Sequence, residues 1–328
     1  MIIQLAPDAD TDQVKRALVA AGLWVTALHD GQRRVSHFSV SSASASVEAS
    51  TLLRIPGVAS VVAPASAHPR VDGSPSTVDV RGLAVGGAAK VFVAGPCAVE
   101  SEAQIDAVAA RVARAGATML RGGAFKPRSS PYAFQGHGGE ALRWLRRAAD
   151  AHGLRVVTEA LGESDVALVA EHADLIQVGS RNMQNFSLLK AIGRTGRPVM
   201  LKRSMSATVE EWLLAGEYLL EHGAAGVIYC ERGIRGFDRA TRNLLDLGAV
   251  ALLAHVHRLP VMVDPSHATG RRDLVLPLAR AGLAAGAAGV MLETHDDPGR
   301  ALSDGPQALL PGEFDAVMAA LHAGAAEA

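Results

Sequence analysis

From Lys90 onward the chain repeats one unit, a short run of apolar residues followed by a stretch with helical spacing. The runs are VFVAG, TMLRG, LRVVTE, DLIQVG, PVMLK, GVIYC, PVMVD and GVMLE, eight in all. Strands that are apolar on both faces belong in a sheet covered on both sides, and alternation with helices makes that sheet parallel. Eight such units in roughly 240 residues suit a closed (β/α)8 barrel rather than an open sheet. An open doubly wound sheet holding a dinucleotide would show G-x-G-x-x-G after its first strand, and the segment there is GPCAVES. A nicotinamide enzyme is therefore disfavoured.

The segment before the barrel has a different rhythm. MIIQLA, WVTALHD, RRVSHFSV and GVASVVA read as strands, with TDQVKRALVAAGL and SVEASTLLRI as helices. The order β-α-β-β-α-β is that of a small ferredoxin-like domain. SAHPRVDGSPST then concentrates Pro, Ser and Gly as a linker does, and STVDVRGLAVGGAAK reads as a hairpin. The expected division is a ferredoxin-like domain over 1–68, a candidate for regulation, and a catalytic barrel with an N-terminal hairpin over 69–328.

Lys and Arg number 32 against 33 Asp and Glu, for a formal net charge of −1. That balance gives no basis for a nucleic-acid or anionic-membrane surface, so a local cluster of cations must serve a compact anionic ligand. No apolar run reaches the length of a spanning helix, and MIIQLAPDADTDQ lacks the order of a secretory signal. A cytoplasmic enzyme is expected. Two cysteines, Cys97 and Cys230, are too few for a disulfide framework, and each reads as a small buried side chain or a ligand.

Barrel enzymes draw their sites from the C-terminal ends of strands. Polar residues stand at all eight: Cys97; Arg121, Lys126 and Arg128; Glu159; Arg181; Lys202; Glu231 and Arg232; Asp264 and His267; Glu293 and His295. Arg121, Lys126, Arg128, Arg181, Lys202 and Arg232 come from four loops, and a cavity that collected them would have to be neutralised by polyanions. Guanidinium groups grip carboxylate and phosphate in bidentate fashion, while a lysine acts as a point charge or a proton donor. Two phosphorylated substrates, one also a carboxylate, suit the count. Cys97, His267, Glu293 and, in ALSDGPQ, Asp304 form a second group. A thiolate, an imidazole and two carboxylates can bind a divalent transition ion without selecting one metal. Their scattered spacing is equally that of a buried cysteine and capping residues.

The stretches AGPCAVES, LRGGAFKPRSSPYAFQG, QVGSRNMQN, LKRSMSAT, YCERGIR, VDPSHATGRRD, VMLETH and ALSDGPQ resemble, in order, the motifs of 3-deoxy-D-arabino-heptulosonate 7-phosphate (DAHP) synthases, in the branch with an N-terminal ferredoxin-like domain. The resemblance implies a (β/α)8 transferase that condenses phosphoenolpyruvate with erythrose 4-phosphate, at the entry to the shikimate pathway of aromatic amino acid biosynthesis. It implies a divalent metal of the Mn, Fe, Co or Zn class on Cys97, His267, Glu293 and Asp304. Arg121 and Lys202 would hold the phosphoenolpyruvate carboxylate, and Arg181 and Arg232 its phosphate. Lys126 would lie between the substrates, Arg128 and Ser129 would take the sugar phosphate, and Glu159 would sit near the reacting carbon and its water. A homotetramer and inhibition by Tyr or Phe are further expectations of the resemblance.

Two alternatives remain at this point. The sister family, 3-deoxy-octulosonate 8-phosphate synthase, shares most of these loops and acts on arabinose 5-phosphate. It is expected to follow the lysine with Ala-Asn-Arg, whereas this chain has Lys126-Pro127-Arg128, the form of DAHP synthases. A non-catalytic regulatory barrel is the other alternative, and the retained ligand set argues against it. His137 is one departure, standing where the family usually has an apolar residue.

Overall fold

The structure is a computed structural model that describes residues 1–41, 44–45, 47–127 and 130–325. The chain divides into two compact units, Met1–Ala67 and His68–Ala328.

In the first unit the elements run β1 (Ile2–Leu5), α1 (Thr11–Ala20), β2 (Val25–His29), β3 (Val35–Val40), α2 (Ala49–Leu52) and β4 (Val58–Val62), with sheet order β2-β3-β1-β4. Central β1 pairs antiparallel with β3 and β4. Every second residue of β1, Ile3 and Leu5, is buried with Val14 and Leu18 of α1, Phe38 and Leu52, as the two-residue period of a half-covered strand requires. Asp10 caps α1 by accepting from the Asp12 and Gln13 amides. The helix expected over SVEASTLLRI shrinks to the four residues of α2, since its Ser, Val and Thr are poor helix formers and Pro56 follows close behind.

The second unit opens with α3 (Pro69–Asp72) and a hairpin of β5 (Val78–Val80) and β6 (Leu83–Val85). Arg81 and Gly82 both have positive φ, at 50° and 78°, the pair of conformations that a two-residue hairpin turn needs. Val78, Val80 and Val85 join the apolar cluster inside the barrel, and Val78 packs at Gly226, just ahead of a barrel strand. The hairpin thus plugs the N-terminal end.

The barrel follows as β7 (Val91–Gly95), α4 (Glu102–Arg114), β8 (Met119–Arg121), α5 (Gly139–Ala151), β9 (Arg155–Glu159), α6 (Val166–His172), β10 (Leu175–Val178), α7 (Phe186–Gly193), β11 (Val199–Lys202), α8 (Val209–Glu221), β12 (Val227–Glu231), α9 (Leu247–Ala251), β13 (Val261–Val263), α10 (Pro265–Thr269), α11 (Val275–Ala284), β14 (Gly289–Glu293) and α12 (Pro311–Ala325). The eight strands close in the order β10-β11-β12-β13-β14-β7-β8-β9, the barrel expected from the repeat. The sixth unit departs from it, because 232–246 is a long loop before α9.

Alternation along each strand sorts the side chains. Met119, Val157, Leu175, Met200, Cys230, Met262 and Met291 fill the interior, while their neighbours Leu120, Val156, Ile176, Leu201, Tyr229, Val263 and Leu292 pack outward against the helices. Cys230 is therefore a packing residue, and burial pushes its thiol up to about 12. Two residues beyond each inward apolar position comes Arg121, Glu159, Gln177, Lys202, Arg232, Asp264 and Glu293, so the pleat alone aims this set at the mouth.

Closure rests on β14 meeting β7 from Gly289↔Val91 to Glu293↔Gly95. A Cβ on Gly289 would lie 2.0 Å from the Val91 carbonyl oxygen. Gly289→Ala is expected to pry these strands apart and destabilise the protein by about 3 kcal/mol or more; a melting temperature within about 2 °C of the parent would reject this account of closure.

Candidate active site

The C-terminal end of the barrel opens into a cavity of about 410 Å³. Cys97, Arg121, Lys126, Glu159, Arg181, Lys202, Arg232, His267 and Asp304 line it, and Glu293 lies fully buried beside them. Arg128 and Ser129 lie outside the described residues.

His267 anchors the anionic side. Asp264, the first residue after β13, caps α10 by accepting from the His267 amide at 3.0 Å, and its carboxylate also takes the Nδ1 proton of His267 at 2.8 Å. This fixes the ring so that Nε2 faces Glu293 Oε2 at 3.0 Å, the carboxylate-histidine arrangement that orients a metal ligand. Burial works against a charge on His267, but Asp264 and Glu293 outweigh it and raise the imidazole to about 9. Burial would raise Asp264 as well; His267 and Lys202, whose Nζ donates to it at 2.5 Å, hold it well below the carboxylate range instead. Glu293 is lowered for the same reasons, against burial, by His267 and by Arg121, whose Nη1 stands 3.3 Å from Oε2.

Across the mouth, Cys97 continues the line of β7. Its thiol donates to Asp304 Oδ2 at 3.2 Å, and its sulfur accepts from Lys126 Nζ at 2.9 Å, while the same ammonium donates to the Cys97 carbonyl at 2.9 Å. Lys126, grouped with other cations by the sequence, thus faces a sulfur. Asp304 reaches in from a left-handed backbone position, φ 51°. Burial raises its pKa, but the Cys97 hydrogen bond, His267 and Arg242 lower it to about 2.

One ligand atom from each of Cys97, His267, Glu293 and Asp304 lies within 4.8 Å of the others. Glu293 Oε1 is buried and, among the described residues, has no hydrogen-bond partner. A buried carboxylate oxygen left unpaired is costly, and a cation would satisfy it. The donor set of sulfur, imidazole and carboxylate suits a divalent transition ion.

Other groups were missed by residue type. Gln177 Nε2 donates to Glu159 Oε2 at 3.1 Å, and Gly179 leaves room for that carboxylate, since a Cβ there would fall 2.0 Å from Oε1. Arg235, Arg242 and Asn243 line the cavity from the loop after β12. Counting two residues past Leu175 would have found Gln177. Conversely, Glu231 and His295 are not among the lining residues. Glu231 points outward, where Arg203 donates to it at 3.0 Å and to Asp246 at 2.9 Å. His295 Nε2 lies 3.4 Å from Glu100 Oε2. His137 donates from Nε2 to the Glu100 carbonyl at 3.1 Å and packs edge-on against Phe134 and Trp144.

The sequence profile of the DAHP synthetase I family matches residues 70–324. The chain belongs to that family. A phospho-2-dehydro-3-deoxyheptonate aldolase of Thermotoga maritima is 50% identical over 234 residues, 71% of this chain and 69% of that protein. A 2-dehydro-3-deoxyphosphooctonate aldolase of a Synechococcus strain is 33% identical over 195 residues, 56% of this chain and 68% of that one. A crystal structure of the phospho-2-dehydro-3-deoxyheptonate aldolase (DAHP synthase) of Thermotoga maritima superposes with a TM-score of 0.77 at 39% identity, covering 98% of this chain and 96% of that one. A truncated form of the enzyme gives 0.71 at 44% identity, covering 76% and 92%. Among the described residues no helix is long and apolar enough to cross a membrane.

If the pleat separates site from scaffold, Arg203 belongs to the scaffold although it adjoins Lys202. Arg203→Met is expected to strand the buried Glu231 and cost about 3 kcal/mol of stability, read by denaturant titration. Substrate affinity measured well below the melting temperature should hold; a large loss of phosphoenolpyruvate binding with unchanged stability would reverse the assignment.

Proposed function

We propose that this member of the DAHP synthase family condenses phosphoenolpyruvate with erythrose 4-phosphate in the cavity at the barrel mouth. The observation that carries the reading is the four-ligand cluster set among buried cations. Arg121 and Lys202 take the carboxylate of phosphoenolpyruvate, and Arg181 and Arg232 its phosphate. Bidentate guanidinium pairing fixes the orientation of both anions, so that attack on the second substrate becomes effectively intramolecular. Arg128 and Ser129 take the sugar phosphate.

Cys97, His267, Glu293 and Asp304 hold a divalent ion of the Mn, Fe, Co or Zn class, which supplies Lewis acidity for the aldehyde oxygen when bound. As C3 of phosphoenolpyruvate bonds to the aldehyde carbon, Lys126 donates a proton to the oxygen that becomes the new hydroxyl. C2 is left electron-poor and takes a water. Glu159, held by Gln177, steers that water and receives its proton. Loss of inorganic phosphate then gives the ketone, DAHP.

The N-terminal unit is the expected site of feedback control, with Tyr or Phe as effector, in a homotetramer. Rates that stay constant at saturating Tyr and Phe would remove that part of the reading.

Lys126→Ala is expected to lower kcat by about 10²- to 10⁴-fold with the thermal melt preserved. Chelator should abolish turnover and added Mn²⁺ restore it. Purified protein offered each aldose phosphate should consume phosphoenolpyruvate with erythrose 4-phosphate; turnover with arabinose 5-phosphate alone would overturn the substrate assignment.

A further inference from the structure

Gln307 is almost fully buried, at 2% exposure, in the turn that follows Asp304. Its amide is held at both ends. The oxygen accepts from Arg242 Nη1 at 2.7 Å, and the nitrogen donates to Glu293 Oε2 at 3.2 Å. The order cannot be reversed: a guanidinium only donates and a carboxylate only accepts, so Arg242 dictates which face of the amide Glu293 meets. The same guanidinium places Nη2 3.5 Å from Asp304 Oδ1. Glu293 Oε2 is thereby engaged by Gln307 as well as by His267 and Arg121, and among the described residues Oε1 is the oxygen left without a partner.

We propose that Gln307, oriented by Arg242, is a positioning residue that fixes the Glu293 carboxylate for the divalent cation and ties it to Asp304. This rests on the reading that Cys97, His267, Glu293 and Asp304 hold the metal. The loop after β12 meets the turn after β14 at Arg242, so one guanidinium bears on two carboxylates, on Glu293 through Gln307 and on Asp304 directly. Partners of this kind around a metal site alter affinity by about 10- to 100-fold when removed.

The test is a Mn²⁺ titration of the metal-stripped full-length protein without substrate, followed by electron paramagnetic resonance, with circular dichroism to confirm folding. Gln307→Met, which removes both hydrogen bonds at similar volume, should weaken Mn²⁺ binding about 10- to 100-fold. Gln307→Glu is the sharper variant, because it keeps the shape and the bond to Arg242 but sets a carboxylate oxygen against Glu293. It should lose affinity too, whereas a residue that only fills space would tolerate it. Arg242→Met, at a half-exposed side chain, should weaken binding, and the double variant should fall short of the sum because the two act as one unit. Parent-like affinity in Gln307→Glu and Arg242→Met would overturn the proposal, provided Cys97→Ala has lost binding. Parent-like affinity in Cys97→Ala would overturn the metal-site reading beneath it.

Discussion

The top layer of the barrel holds charges that no single strand could bury. Arg121, Lys126, Lys202, Arg232, Asp264 and Glu293 are all buried, and an isolated ion in that setting would cost several kcal/mol. Opposite charges on other strands or loops make it tolerable: Lys202 against Asp264, Arg121 against Glu293, and His267 between two carboxylates. Closure of the sheet brings these partners together. Among the described residues the same network leaves one oxygen of Glu293 unpaired and gathers several cations at the cavity, an arrangement whose chemistry suits a metal ion and anions.

Below this layer the barrel is apolar and close-packed, plugged by the β5–β6 hairpin. Above it the loops differ in length according to what they deliver. The long loop between β12 and α9 carries Arg235, Arg242 and Asn243 over the cavity, and Arg242 reaches the turn of Asp304 and Gln307. Outside the wall, Arg203 and Glu231 form a second ion pair next to the inward Lys202 and Arg232. One step along a strand changes a group that lines the cavity into one that pairs outside the wall.

Much of this was legible. The runs from VFVAG to GVMLE mark the strands, and every described residue singled out as ligand or substrate contact lies in the cavity or, for Glu293, buried beside it. The signal was charge at strand ends, and its blind spots follow from that. Gln177 and Gln307 are uncharged amides, whose importance comes from what their two ends touch. Glu231 and His295 have the right chemistry but do not line the cavity, because a strand-end position alone does not say which way a side chain points.

By itself the sequence determined the repeat, the family and the identity of nearly all groups with chemistry to offer, because apolar period and residue type are local properties of a chain. Only the tertiary structure decided which of those groups meet. Cys97 and Asp304 stand at opposite ends of the barrel sequence, yet they lie 3.2 Å apart. Their meeting follows from β14 pairing with β7, a long-range contact in which ring closure, rather than neighbouring residues, sets the distance.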